Sequence, residues 1–181
     1  MILEHKEANE LAFDGTIIDI ETIGGFSRGF KDSRQYANIE PVIFGYINGS
    51  ELRILTAQKN SDLTPLRERL SSLLNGLKKP FHAFNCEFEM GVLFHNLKER
   101  HLFERELNQE KFEAKKKAVS LLGIPQYGDP FNDKGLLCMQ AWENGNLNKA
   151  IAHNRSCLLK ERDILLKRGF RKPAEFEFVD G

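Results

Sequence analysis

Two acids stand one residue apart at the end of an apolar run in "GTIIDIETIGG", residues 15–25. In a strand, residues i and i+2 share a face, so Asp19 and Glu21 project side by side. Neighbouring carboxylates repel each other unless a positive charge lies between them. A divalent cation that prefers oxygen ligands, Mg²⁺ or Mn²⁺, relieves that repulsion. The alternative is that both acids end the strand and face water. A second stretch, "PFHAFNCEFEMGVL", closes a buried strand at Asn85 and opens a helix carrying Glu87 and Glu89. Glu87 suits the positive end of the helix dipole, and Asn85 is a residue type favoured at an N-cap. Glu89 has Val92 and Leu93 at i+3 and i+4. It therefore leans on an apolar face, where a carboxylate needs a partner or a metal.

These acids need elements to position them. "LAFDGTIIDIE" reads as a strand buried towards its end, followed by a polar, glycine-containing loop over 22–40. "PVIFGYI" and "ELRILTA" around "NGS" read as a β-hairpin. "TPLRERLSSLLNG" predicts a helix capped by Thr64, with Pro65 in its first turn, Leu66, Leu70, Leu73 and Leu74 on one face, and Asn75-Gly76 at its end. "PFHAFN" predicts a short strand, with a helix near 87–97 after it, and "FEREL" a further strand. Residues 110–122 read as a lysine-rich helix closed by Gly123, and 124–135 as a loop. Helices are expected near 136–143, 147–153 and 155–168, and a tail over 170–181. Strands come first and then alternate with helices, which predicts an α/β fold with a mixed sheet flanked by helices.

"IIDIET" followed some sixty residues later by "FNCEFE" resembles the DEDD superfamily of 3′–5′ exonucleases. The resemblance covers residues 13–168. It implies a single ribonuclease-H-like domain over 1–181, four acids that hold two Mg²⁺ or Mn²⁺ ions, and removal of nucleotides from single-stranded 3′ ends of DNA or RNA. The first motif, Asp-x-Glu, falls on Asp19 and Glu21. The second, Asn-x-x-Phe-Asp, falls on Asn85 and Phe88, with Glu89 in place of the family's Asp. The third is a His or Tyr with an acid four or five residues later on a C-terminal helix. It is matched by "HNRSC" at His153, with Cys157 where the acid belongs. In the family, the residue matched by His153 orients or deprotonates the attacking water, and a histidine titrates in the right range for that role.

Glu161, Cys157 and Asp163 compete for the fourth acid position. At about 100° per residue, Asp163 falls with Lys160 and Lys167 on a polar face, as in a solvated ion-pair stripe. Glu161 falls with Cys157, Leu158, Ile164 and Leu165, and points inward. The thiol suits Mg²⁺ poorly, so Cys157 reads as a small buried residue and Glu161 as the fourth acid.

Phe26, Arg28, Phe30, Lys31 and Arg34 interleave aromatic and basic residues after the first motif. Such a loop can stack bases and hold phosphates, or can be an ordinary surface loop. Lys115–Lys117 reads as a solvated face. Asp129, in "YGDPFND", can reach the site from a loop, but nothing in the spacing demands it and a turn accounts for it.

Composition narrows the classes. The 181 residues carry 26 Lys+Arg against 26 Asp+Glu, so no large basic field exists and a polyanion must be held by local patches or by metal ions. The cysteines, three and scattered, argue against a disulfide framework and for a reducing compartment. No apolar run is long enough for a membrane span, and "MILEHKEANE" is too charged for a signal peptide, which predicts a cytoplasmic protein. The competing expectation is a module that binds nucleic acid or a partner on the same fold, its metal site decayed. An internally cutting nuclease is a third.

Overall fold

The structure, a computed structural model, describes all of residues 1–181. Six strands form one mixed sheet: β1 (Ile2–Ala8), β2 (Thr16–Gly24), β3 (Ile39–Asn48), β4 (Glu51–Ala57), β5 (Phe81–Ala83) and β6 (Arg105–Glu106). Their spatial order is β1-β4-β3-β2-β5-β6. The first four strands pair antiparallel, and β5 and β6 continue parallel to β2. Five helices flank the sheet: α1 (Leu63–Gly76), α2 (Cys86–Leu97), α3 (Lys115–Leu121), α4 (Gly135–Glu143) and α5 (Leu147–Arg168). None is long and apolar enough to cross a membrane.

The expected hairpin is present as β3–β4, with Asn48 paired to Glu51 across Gly49-Ser50. The α1 helix begins at Leu63, ahead of the Thr64 cap that its composition suggests, and Leu66, Leu70 and Leu74 are buried. Between Glu21 and Thr22 the β2–β3 register slips, because Glu21 faces Ile43 while Thr22 faces Pro41. The extra residue, Val42, makes a bulge at the level of the acids, a usual device for re-aiming side chains at a sheet's end.

One element is added to those expected from the sequence, and two expectations are corrected. The N-terminal "ILEHKEA" is a strand, β1, at the sheet edge, with a partly buried, partly exposed pattern. Its charges are edge protection: Glu4 pairs with Arg53 and Arg69. The expected break near residue 154 does not occur, and α5 runs unbroken for 22 residues. His153 and Asn154, indifferent helix formers, are held there by tertiary bonds to Asp129 and Asp19. The lysine-rich helix spans only Lys115–Leu121.

The main core packs Ile17, Ile18, Ile43, Phe44, Ile54 and Leu55 from the sheet with Leu66, Leu70, Leu93 and Leu158 from the helices. A smaller cluster joins Phe84, Ala118, Val119 and Ile164, and docks α3 against α5 and the end of β5. The terminal segment is folded as well. Arg171 exchanges two backbone hydrogen bonds with Glu106, and Ser33 bonds to the backbone of Glu177 and Val179.

Close approach of α5 to the sheet depends on Gly45, the cross-strand partner of Asp19. A Cβ there would lie 2.0 Å from Asn154 Oδ1 and 2.7 Å from Leu158 Cδ1. The missing side chain lets the helix sit directly over the acid-bearing middle of β2, a strand that continues to Gly24 and does not, as its composition suggests, end at the acids.

Candidate functional site

Asp19 and Glu21 lie on one face of β2, and both are buried. Glu89, in the first turn of α2, and Glu161, in the third quarter of α5, are buried as well. Asn154 Nδ2 donates to Asp19 Oδ2 at 2.7 Å and to the Asp19 carbonyl at 3.1 Å, and so ties α5 to the strand. Lys115 is the pivot of the cluster. Its Nζ lies 2.6 Å from Glu161 Oε1 and 3.1 Å from Asp19 Oδ1. The expectation that Lys115 is solvated with its neighbours is thus corrected: its side chain is 18% exposed and enters the acid cluster. The apolar docking of Ala118 and Val119, one turn on, aims it there.

Burial works against ionisation at every one of these acids. At Asp19 burial is outweighed by the Lys115 charge and by hydrogen bonds to the carboxylate, and the group is held below the usual carboxylate range. At Glu21, burial and the Asp19 charge push the carboxyl up to about 7. Burial first, and then the charges of Asp19 and Glu161, push Glu89 well up. Glu161 is also pushed well up by burial, against the pull of Lys115. One lysine therefore neutralises only part of the set. Glu89 Oε2 and Glu161 Oε2 are buried without a hydrogen-bond partner. An ionised carboxylate in that position costs several kcal/mol unless a cation or donor meets it.

His153 Nδ1 donates to Asp129 Oδ1 at 2.8 Å, which leaves Nε2 facing Glu21 Oε1 at 3.7 Å. Burial lowers its basicity, but the bond to Asp129 and the Glu21 charge raise it further, and its net shift is upward. Asp129 is more than a turn residue. It accepts from the backbone amides of Phe131 and Asp133, from His153 and from Lys160 Nζ. Its burial is outweighed by these bonds, which hold it well below the carboxylate range. Lys160, fully buried, also reaches Asp133 Oδ1 at 2.7 Å. It belongs to the site's supporting network and not to a solvated stripe.

Asp163 is corrected in the same way. It is buried, with its carboxylate bound by Arg162 at 2.9 Å and by the Tyr127 hydroxyl, and it is not paired with Lys160 or Lys167. The structure brings Asp19, Glu21, Glu89 and His153 to one cleft, with Glu161 buried behind it and joined through Lys115, and leaves Asp163 outside.

The cleft has two joined parts. A cavity of about 210 Å³ opens over Asp19, Glu21, Glu89, His153 and Cys157. A larger one, about 690 Å³, adjoins it and shares Phe84, Asn85, Phe88 and Lys115. Phe26, Tyr36, Lys31, Lys111 and Arg171 line the larger part. Tyr36 and Phe88 meet edge to face at 5.8 Å, and Phe26 packs against both. Asn85 sits at the N-cap position of α2, but its side chain makes no capping bond and is free at the cleft wall. Arg28 does not line either part.

Two donor sets differ in how closely their atoms converge. The four carboxylates offer only oxygen ligands, but no three of them bring ligand atoms within 4.8 Å of one another, and Lys115 occupies the space between Asp19 and Glu161. Glu21, His153 and Cys157 form a mixed set, each offering one atom within 4.8 Å of the others.

Asp129, Lys115, Lys160 and Asn154 are not legible as site residues in the sequence. Asn154 and Lys160 carry a faint signal, since they lie beside His153 and two turns beyond it. Nothing in the spacing marks Asp129 or separates Lys115 from the two lysines that follow. Compared with models of protein families, with curated proteins and with solved structures, the chain finds no match.

Proposed function

We propose that this chain hydrolyses phosphodiester bonds at single-stranded 3′ ends of DNA or RNA, using Mg²⁺ or Mn²⁺, on the ribonuclease-H-like fold that its motifs resemble. The observation that carries this reading is the convergence of Asp19, Glu21 and Glu89 on one cleft, with Glu161 buried behind it against Lys115 and two buried carboxylate oxygens, on Glu89 and Glu161, left without a partner. A mixed sheet whose interior strand carries two of the acids on one face supports the fold half of the reading.

The four carboxylates would hold the cation, which supplies a nucleophile at neutral pH and stabilises charge on the attacking and leaving oxygens. The chain's own groups do the rest. His153 Nε2 takes the proton from the attacking water, and Asp129 holds the ring and steadies the imidazolium that results. Asn154 fixes the rotamer of Asp19. Phe88 and Phe26 offer stacking faces for terminal bases, with Tyr36 packed behind them, and Lys31 offers local positive charge, while Lys111 and Arg171 are paired with Glu87 and Glu106 on the same wall.

The test uses a 5′-labelled single strand, as DNA and as RNA, with Mn²⁺ or Mg²⁺. The expected product is a ladder that shortens from the 3′ end and disappears in Asp19→Asn. Cleavage that persists in excess chelator or in that variant overturns the reading, and internal cuts at the first time point favour an endonuclease.

The Lys115 ammonium favours a second reading. Seated between Asp19 and Glu161, it supplies one of the positive charges that a cation would bring. A module that binds nucleic acid or a partner without cleaving would keep the cluster stable in this way. Calorimetric titration separates the two: bound Mn²⁺ with turnover supports the enzyme, and no bound Mn²⁺ with retained strand binding supports the module.

A further inference from the structure

We propose that Glu21, His153 and Cys157 form a three-ligand site for a borderline-soft transition ion, Zn²⁺ foremost, with its fourth position open to the cleft. This site stands on geometry that does not depend on the hydrolytic reading. It shares Glu21 with the carboxylate set, but its other two donors, a thiolate and an imidazole, select Zn²⁺ over Mg²⁺.

The spacing fits the ion. Tetrahedral coordination, with Zn–N and Zn–O near 2.0–2.1 Å and Zn–S near 2.3 Å, separates neighbouring ligand atoms by about 3.4–3.6 Å. His153 Nε2 lies 3.7 Å from Glu21 Oε1 and 3.7 Å from Cys157 Sγ. All three donors fall within 4.8 Å of one another. His153 and Cys157 are four residues apart on α5, so both project from one face over successive turns.

The surroundings fit as well. A metal-bound histidine usually donates its other ring N–H to a carboxylate, which fixes the ring and raises its strength as a ligand. His153 Nδ1 already donates to Asp129 at 2.8 Å, and Lys160 and two backbone amides hold Asp129 in place. The ring is thus oriented with Nε2 towards Glu21 and Cys157 before any ion arrives. All three residues line the 210 Å³ cavity, which leaves room for a water as fourth ligand. Three protein ligands and an open position is the pattern of catalytic and exchangeable zinc sites, whereas closed four-ligand sets are structural. Binding releases the thiol proton, and the sulfur takes the metal in its place. An ion on Nε2 also removes that nitrogen from acid–base work, so zinc occupancy and the proposed role of His153 in hydrolysis exclude each other.

The test titrates the full chain, freed of metal, with Co²⁺ under reducing, oxygen-free conditions. One equivalent is expected to bind with an intense thiolate-to-cobalt charge-transfer band, bleached by one equivalent of Zn²⁺. Cys157→Ser should lose the band, Asp129→Asn should weaken Co²⁺ affinity about 10–100-fold, and Asp19→Asn should keep the band. Should Cys157→Ser unfold the core, X-ray absorption on the zinc-loaded natural chain gives a reading that needs no variant: one sulfur at about 2.3 Å. No charge-transfer band, a band that survives Cys157→Ser, or a zinc shell of oxygen and nitrogen alone overturns the site. The cobalt band does not depend on strand cleavage, so loss of the hydrolytic reading and loss of this site are seen separately.

Discussion

Lys115 shows how much one side chain decides here. Its ammonium is the nearest positive charge to Asp19 and Glu161, and both distances are those of direct ion pairs. Removing one partner of a buried pair leaves an uncompensated charge, at a cost of about 3–5 kcal/mol. Lys115→Gln should therefore lower the stability of the metal-free chain by about 3 kcal/mol, the low end of that range, since the two acids can still share a proton. Mn²⁺ should restore it, and should bind more tightly than to the natural chain. Denaturant melts with and without Mn²⁺ measure both. Unchanged stability together with unchanged Mn²⁺ affinity would show that the lysine does not neutralise the pair.

Glu21 carries a second prediction at this scale. Burial and the Asp19 charge raise its carboxyl to about 7 in the folded chain, against 4.5 for the free group. The folded state then holds a proton that the unfolded state has lost, so this group's contribution falls as pH rises from about 4.5 through 7. Relative to Glu21→Gln, the metal-free natural chain should lose on the order of 2 kcal/mol between about pH 5 and pH 8. Paired melts across that range, in chelator, check it. Parallel curves would mean that Glu21 ionises in the folded chain as it does in water.

At the scale of elements, the site is where β2, α2, α3 and α5 meet, and their separation sets its geometry. Gly45 allows α5 to lie against the sheet. In Gly45→Ala, the new Cβ would press on Asn154 Oδ1 and Leu158 at distances that real contacts do not tolerate. Overpacking of this kind costs about 1–3 kcal/mol. The helix should also shift away from β2, so that Asn154 loses its grip on Asp19. The expected outcome is a lower melting temperature together with weaker Mn²⁺ binding. A variant that melts lower but binds Mn²⁺ as before would show that the approach of α5 serves packing alone. The loop 127–133 acts at this scale too. Lys160 reaches Asp129 and Asp133 together, and so clamps the loop to α5 and holds Asp129 against His153.

For the whole molecule, the smaller and larger parts of the cleft form one path from the acids to the aromatic wall. The terminal segment closes one side of it, because Arg171 pairs with Glu106 and lines the larger part. Phe88 stands at the junction, lining both parts. Under the proposed hydrolysis, Phe88→Ala should raise KM for a short single strand, with base stacking worth about 1–3 kcal/mol, and change kcat little. Steady-state kinetics in Mn²⁺ test this. A fall in kcat at constant KM would place Phe88 in positioning the acids and not the strand.

The sequence by itself determined what depends on an element's own period. Asp19 and Glu21 share a face because the strand repeat is two, and Glu89 turns inward because its neighbours at i+3 and i+4 are apolar. The helical wheel set Glu161 on the buried side of α5 for the same reason. The hairpin carries its own turn residues and α1 its own leucine repeat, so they too could be read locally, although the start of α1 could not. Only the tertiary structure decided what lies across from each element. The wheel put Asp163 beside Lys160 and Lys167 on a solvated face, yet Tyr127 and Arg162 cover it, and Lys160 turns to Asp129 and Asp133. Lys115 meets Asp19 across 96 residues, and His153 meets Asp129 across 24. Periodicity states which way a side chain points from its own backbone. Its partner depends on which other backbone arrives there, and that is set by the packing of the whole core.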